Sequence, residues 1–317
     1  SDQTPAVMRR FDLLGRLVSE ENGVCSIHSE YDAAGGLIHE KVEPKGGASK
    51  EIYYSRDAEG RVLSLRYPGG GITERRYGST GELERVLENG VTVAEFLHDV
   101  GGRLSGVKYA NGSTVGLRRD ALGRVLNVEH WFGVGQSLSI GYQFDRTGVR
   151  SVRSQTGPVG SEQVYRYDRD GQLVSERDGD RKPVLYAYDP SGNRLTEETA
   201  RGTQVYSSNA LNQFTTVGGR HFSYDANANL KQSDAGVYEY DAESRLTRAE
   251  FDGHLVLFEY DPRGRCCRRT VDGEVREFTY SNWSVLEEWK NGSVDSTFVY
   301  GTGEDELLSF SKINLPV

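Results

Sequence analysis

The 317 residues carry 38 Lys plus Arg against 47 Asp plus Glu, a net charge of −9 with a pI near 5.3. That balance excludes a partner held through a nucleic-acid backbone, because such affinity comes from counterion release by clustered cations; Arg9, Arg10, Arg268 and Arg269 instead alternate with acids, as on a solvated sheet face. Apolar residues are only 36% while 38 Gly and 18 Tyr are both high, so the chain is foldable but spreads its apolar content thinly, as a curved sheet with two partly wet faces does.

From the N-terminus, a pattern of aromatic, Asp, two variable residues, Gly and Arg recurs, and about thirteen copies can be recovered. The first are Phe11-Asp12 and Tyr31-Asp32 with Gly35. Asp57, Tyr77, Asp99, Asp120 and Phe144-Asp145 head the next, each with its glycine three or four residues on. Two full copies follow, Tyr167-Asp168 with Gly171 and Tyr188-Asp189 with Gly192, then a degenerate one at Asn209 to Phe214. Three closely spaced copies complete the series: YDANANL at Tyr224-Asp225, YDAESRL at Tyr240-Asp241 and YDPRGR at Tyr260-Asp261, with Gly264 and Arg265. In each, the Asp carboxylate is expected to bond the amides two and three residues on, and the Gly, Ala or Ser takes a positive φ. A second set of turn signals lies between them: Asn22-Gly23, Asn89-Gly90, Asn111-Gly112, Asp272-Gly273 and Asn291-Gly292.

Segments between turns, such as Val62 to Tyr67 and Gly253 to Tyr260, alternate with period two, and helical periodicity is hard to find. The repeat spacing averages about 21 residues, two ordinary strands plus two turns. The sequence therefore predicts an all-β fold: spiralling antiparallel hairpins in one continuous array over 1–317, with no linker to divide it. At 4.8 Å per strand such an array is on the order of 125 Å wide, and a twisted sheet of that width has to curl. Bent round once, it encloses a hollow roughly 40 Å across, too wide for side chains to fill. Sheet edges left at both ends of such a spiral need covering, by more of the same shell or by a partner chain.

The residues quoted resemble the YD-repeat proteins, the family of bacterial Rhs (rearrangement hot spot) proteins, toxin-complex C components and teneurins. The likeness covers nearly the whole chain and is most specific from Asn209 onward, through NALNQFTTVGG, the three YD copies and FVYGTGEDELLSF from Phe298, which are similar to the bacterial Rhs branch. The resemblance implies a β-cage that wraps a toxic polypeptide, followed in the family by further repeats and a self-cleaving aspartyl block. The sequence runs to Val317 without that block, so it is expected to be a portion of a larger shell.

No site for chemistry emerges beside it. The repeat Asp residues read as turn acceptors, with the Arg of the motif stacked on a Tyr ring. Asp168-Arg169-Asp170-Gly171 lacks the later ligands of a calcium loop, and the six histidines form no HExxH pair. Glu287 and Glu288 stand between Trp283 and Trp289, as sugar hydrolysis would want, but neighbours on a strand point to opposite faces. Cys25, Cys266 and Cys267 form an odd set without metal spacing and read as reduced structural thiols of a chain folded in a reducing cytoplasm. No catalytic residue, cofactor or metal is expected. There is no membrane-spanning run or signal peptide, so the address for secretion or surface display is expected to lie outside the sequence. The function expected is a non-enzymatic scaffold around a toxin or effector polypeptide. The alternative is an extracellular module whose exposed Tyr and Trp bind glycans or another surface protein.

Overall fold

The structure, a computed structural model, describes residues 6–133, 135–303 and 306–313. Glu304 and Asp305 of the GTGEDELLSF stretch and the last four residues lie outside them. Thirty strands run from β1 (Met8–Phe11) to β30 (Leu307–Lys312), and no helix occurs among the described residues. The fold is all-β and antiparallel: consecutive strands pair, as β3 (Cys25–Tyr31) does with β4 (Leu37–Pro44).

The turn chemistry sets the register. At each YD copy the aromatic pairs with the residue six positions on, at a one-residue register shift: Tyr31 with Leu37, Tyr167 with Leu173, Tyr188 with Arg194, Tyr224 with Leu230, Tyr240 with Leu246 and Tyr260 with Cys266. The third residue after the Asp is left-handed, with φ of 89° at Gly35, 80° at Gly171, 84° at Gly192 and 83° at Gly264. Ala228 and Ser244 hold the same conformation at 69° and 60° without being glycine. This is a type I turn closed by a left-handed bulge residue, which matches the right-handed twist of the strands it joins. At the opposite strand ends, Asn89-Gly90, Asp272-Gly273 and Asn291-Gly292 are left-handed at both positions, as two-residue hairpins require. Two of the Asn-Gly pairs differ. Only Gly112 is left-handed at Asn111-Gly112, and its amide donates to Tyr109 O (3.0 Å), repeating the Asp-turn geometry. Asn22 holds its own turn through its side-chain oxygen, which accepts from the amides of Val24 (2.8 Å) and Cys25 (3.0 Å).

The chain divides into two compact units, Ser1–Glu95 with Ala235–Val317, and Phe96–Asp234. In the second unit, strands from β10 (Leu104–Tyr109) to β22 (Leu230–Ser233) leave most side chains half-buried, and Phe96 and Val107 are its only fully buried apolar residues among those described. Cross-strand pairing, not a filled interior, holds it. The first unit has a core. Ile52, Tyr54, Leu65 and Tyr67 from its N-terminal segment pack on Leu286 from β28 (Ser284–Lys290), and Ile27, Val86 and Val299 are equally sequestered. Its two sequence segments thus fold together, and the polar bonds joining them link residues 218 to 253 positions apart. The end of the array returns onto its beginning.

Candidate functional site

Two structural features of this chain have the makings of a function: the joint between successive repeats and the overlap between start and return.

In the joint, the Asp Oδ1 accepts from the amides two and four residues on. Asp168 takes those of Asp170 (3.0 Å) and Gln172 (2.9 Å), Asp189 those of Ser191 and Asn193, Asp225 those of Asn227 and Asn229, Asp241 those of Glu243 and Arg245, and Asp261 those of Arg263 and Arg265. The sequence pointed to the amides two and three residues on. The third amide is already committed, because Gly171, Gly192 and Gly264 donate it to the Asp main-chain oxygen and close the turn. Oδ2 takes the side chain four residues on: Arg245 and Arg265 Nε at 2.7 Å, Asn193 at 2.8 Å, Asn229 at 3.0 Å and Gln172 at 3.2 Å. Asp32 departs from this. Gly36 occupies that position, and the space is filled by the Arg56 side chain, whose Nε donates to Leu37 O (3.0 Å).

The Tyr of each copy reaches back to the preceding repeat. Its hydroxyl donates to a carbonyl beyond the earlier turn: Tyr31 to Leu17 (2.8 Å), Tyr167 to Arg150 (3.0 Å), Tyr188 to Leu173 (2.9 Å), Tyr224 to Phe214 (2.8 Å) and Tyr260 to Leu246 (2.7 Å). Over several of these rings lies the guanidinium of the previous turn, Arg16 over Tyr31 (5.2 Å), Arg61 over Tyr77 (4.7 Å), Arg245 over Tyr260 (5.0 Å) and Arg265 over Tyr280 (5.0 Å). The Arg therefore covers the ring of the next copy, which ties neighbours together at about 0.5–1 kcal/mol per contact.

These bonds favour the ionised turn acids. Asp120, Asp189 and Asp225 lie below the usual 3.8 because the side chain four residues on bonds them, and Asp12 and Asp99 because the amides of Arg16 and Arg103 do. Folded values below the unfolded one give stability that is complete above pH 3.8 and lost as pH falls through the folded values. The melting temperature is therefore expected to be insensitive to these groups from pH 7 to about pH 4 and to fall steeply below it. A melting temperature unchanged at pH 2 would show that the turn acids add nothing.

At the overlap, Arg263 from the YDPRGR turn enters a pocket of acids. Its Nε meets Glu20 Oε2 (2.6 Å), its Nη1 meets Glu40 Oε2 (2.7 Å) and its Nη2 reaches Ser29 Oγ (3.3 Å). Glu20 and Glu40 are buried, and Arg9 also pairs with Glu20 (3.2 Å). Burial opposes the Arg263 charge, but Glu40 and Glu20 outweigh it and raise the guanidinium pKa further. Asn22 Nδ2 donates to Tyr260 O (2.9 Å), Lys50 Nζ pairs with Glu277 (2.9 Å) under the Trp289 ring, and Tyr67 OH donates to Phe298 O (3.1 Å).

Glu287 is fully buried, and its Oε1 accepts from the amide of Gly69 (3.0 Å), while Glu288 turns the other way to Arg276 (2.6 Å). The two carboxylates thus flank no common space. Burial raises the Glu287 carboxyl. Stability from this group is fullest below its unfolded value of 4.5 and declines as pH rises through the folded one. Glu287→Gln keeps an oxygen for Gly69 and is expected to equal the parent in stability at pH 4 and exceed it at pH 8; a less stable variant at pH 8 would contradict this. Gly69 has no room to spare, since a Cβ there would sit 2.6 Å from both Glu287 Oε1 and Val294 Cγ2. Gly69→Ala is expected to cost about 1–3 kcal/mol in denaturant unfolding, whereas Gly70→Ala, with open space and a φ of 93°, tests backbone strain alone.

Sequence reasoning placed the turn residues but not the overlap. Glu20, Glu40, Lys50 and Glu277 are not distinguished there from the other charged residues. The available signal was a Glu inside the alternation of strands whose other inward positions are apolar, combined with an Arg in YDPRGR where YDANANL has Asn and YDAESRL has Glu. Among the described residues no group of three His, Cys, Asp or Glu side chains is placed to hold a metal, and no helix is long and apolar enough to cross a membrane.

A family model described as Teneurin YD-shell matches residues 136–291. The double-stranded DNA deaminase toxin A of Burkholderia cenocepacia is 28% identical over 253 residues, which is 67% of this chain and 17% of that protein. Among solved structures, TcdB2-TccC3 is similar over 98% of this chain at a TM-score of 0.60 and 11% identity, and the Photorhabdus luminescens Tc holotoxin pore over 99% at 0.58 and 12%. Each structure exceeds this chain greatly in length, which covers 22% of it. At that identity the structural likeness speaks to the fold. Together with the repeated turns and the sequential antiparallel strands, these matches support a YD-repeat, or Rhs, shell family for the chain.

Proposed function

We propose that this chain is a portion of shell wall that encloses a toxin or effector polypeptide and acts sterically, with no catalysis of its own. The observation that carries the reading is the overlap, where the returning repeats bind the first ones through a shared apolar core and the bridge of Arg263 to Glu20 and Glu40. A wall has to close on itself without a seam, and a buried ion pair gives the closure a fixed register. Between strands the spacing of about 4.8 Å is bridged by main-chain hydrogen bonds, which leaves no passage for a protease or an unfolded chain.

The likeness to parts of Tc toxin structures and to a DNA deaminase toxin supports a polypeptide toxin as the cargo class. The enclosed partner and the remainder of the shell would be encoded with this array, and secretion would follow folding. Electron cryo-microscopy of the longest polypeptide in which the array occurs tests the proposal. Density for additional polypeptide on the inner side of the wall is the expected result, and a solvent-filled or collapsed interior would overturn it.

A further inference from the structure

The overlap also brings together two sulfurs that lie far apart in sequence. Cys25 opens β3 and is almost wholly buried, and Cys267 belongs to β26 (Cys266–Val271) of the returning segment. Both line one small cavity, walled also by Val24, Val42, Pro44 and Phe278. The backbone around the pair is pinned. Asn22 Oδ1 accepts from the Cys25 amide (3.0 Å) while its Nδ2 donates to Tyr260 O (2.9 Å), and Lys50 to Glu277 (2.9 Å) closes the other side. Cys266 does not line that cavity; its thiol is directed at Arg268 O (3.5 Å), and the Cys267 thiol also reaches Glu259 O (3.4 Å).

We propose that Cys25 and Cys267 form a redox clasp: oxidising surroundings join their sulfurs in a disulfide that fastens the first repeats to the returning ones, and small thiols reopen it. The bond needs a two-electron oxidant, here a small disulfide such as oxidised glutathione. The partly exposed Cys267, as thiolate, attacks it and expels one glutathione thiolate; Cys25, as thiolate, then attacks the Cys267 sulfur and expels the second. Two protons leave the protein and one small disulfide becomes two thiols. A hydrogen bond to Cys25 and burial hold the Cys267 thiol far above its ordinary pKa, so closure, which needs its thiolate, is slow at neutral pH and faster in alkali. The clasp is independent of whether the array holds a cargo.

The test uses the purified chain incubated with oxidised or reduced glutathione at pH 8.5, with free thiols counted by maleimide labelling and cross-linked peptides identified by mass. The expected product is a monomer with one free thiol, at Cys266, and a Cys25–Cys267 cross-linked peptide. It melts on the order of 5 °C above the reduced form, because the closed loop spans most of the chain. Dithiothreitol reverses the shift. Cys266→Ser retains the cross-link, and Cys25→Ser and Cys267→Ser abolish it. Three free thiols after oxidation, a cross-link through Cys266 or a disulfide-linked dimer would each overturn the proposal. Because the wild-type peptide map decides the question, a variant that folds poorly does not obscure it.

Discussion

Arg263→Ala is expected to destabilise the overlap by about 3–5 kcal/mol, because it strands the buried Glu40 carboxylate and leaves Glu20 only the half-exposed Arg9. Glu20 and Glu40 are 2% and 1% exposed, and Glu40 Oε1 already has no hydrogen-bond partner. Most of the cost is desolvation left uncompensated, so it should be recovered when the charges are removed together. Arg263→Met with Glu20→Gln and Glu40→Leu is expected to return to within about 2 kcal/mol of the parent. Hydrogen exchange suits the measurement better than a single melt, because a repeat array need not unfold in one step. Loss of protection in Glu20, Cys25 and Tyr260 peptides, with peptides from 96–234 unchanged, is the expected signature. A cost under about 1 kcal/mol would mean the bridge behaves as a surface pair.

Asp261→Ala is the second large effect, and its size depends on which repeat is cut. Asp261 and Arg265 are 2% and 4% exposed, and the Asp accepts from two amides and from Arg265 Nε. Removing it leaves a buried guanidinium without its acid, at about 3–5 kcal/mol. The same substitution at Asp168, which is exposed and has Gln172 in place of Arg, is expected to cost about 0.5–1.5 kcal/mol, the value of ordinary hydrogen bonds. Urea midpoints of the two variants, together with exchange at the mutated turn, decide this. Equal effects would show that the motif acts locally and that burial at the overlap adds nothing.

The difference between those two positions shows what the sequence makes legible. The stretches around Asp168 and Asp261 share only the Tyr, Asp and Gly of the repeat, and both make the same turn, because its bonds are closed within five residues by Asp, Gly and their own amides. Strand length, pairing order and register follow from turns of that kind, so the all-β antiparallel array can be read from local chemistry. The neighbour of each turn is another matter. Arg263 finds Glu20 243 residues away and Gly69 finds Glu287 218 residues away, distances fixed by accumulated twist and bend and not by any phrase in the sequence. Pro68-Gly69-Gly70-Gly71 reads as a hairpin tip, and it is one, with φ of 93° at Gly70; that Gly69 is also small so that Glu287 can reach its amide is visible only once the array has returned. Cys25 and Cys267 were legible as thiols and not as a pair for the same reason.

Under the proposed function, the repeats form a wall fastened where the returning segment of the first unit meets its first strands. Limited proteolysis of the longest natural polypeptide containing the array, compared between the parent and Arg263→Ala, tests it most directly. In the parent, the segment enclosed by the shell should resist a protease that digests the same segment when it is expressed alone, and Arg263→Ala should shorten that protection in proportion to the exchange lost at the overlap. Cleavage of the segment in the intact parent at the rate seen for it alone would contradict the account.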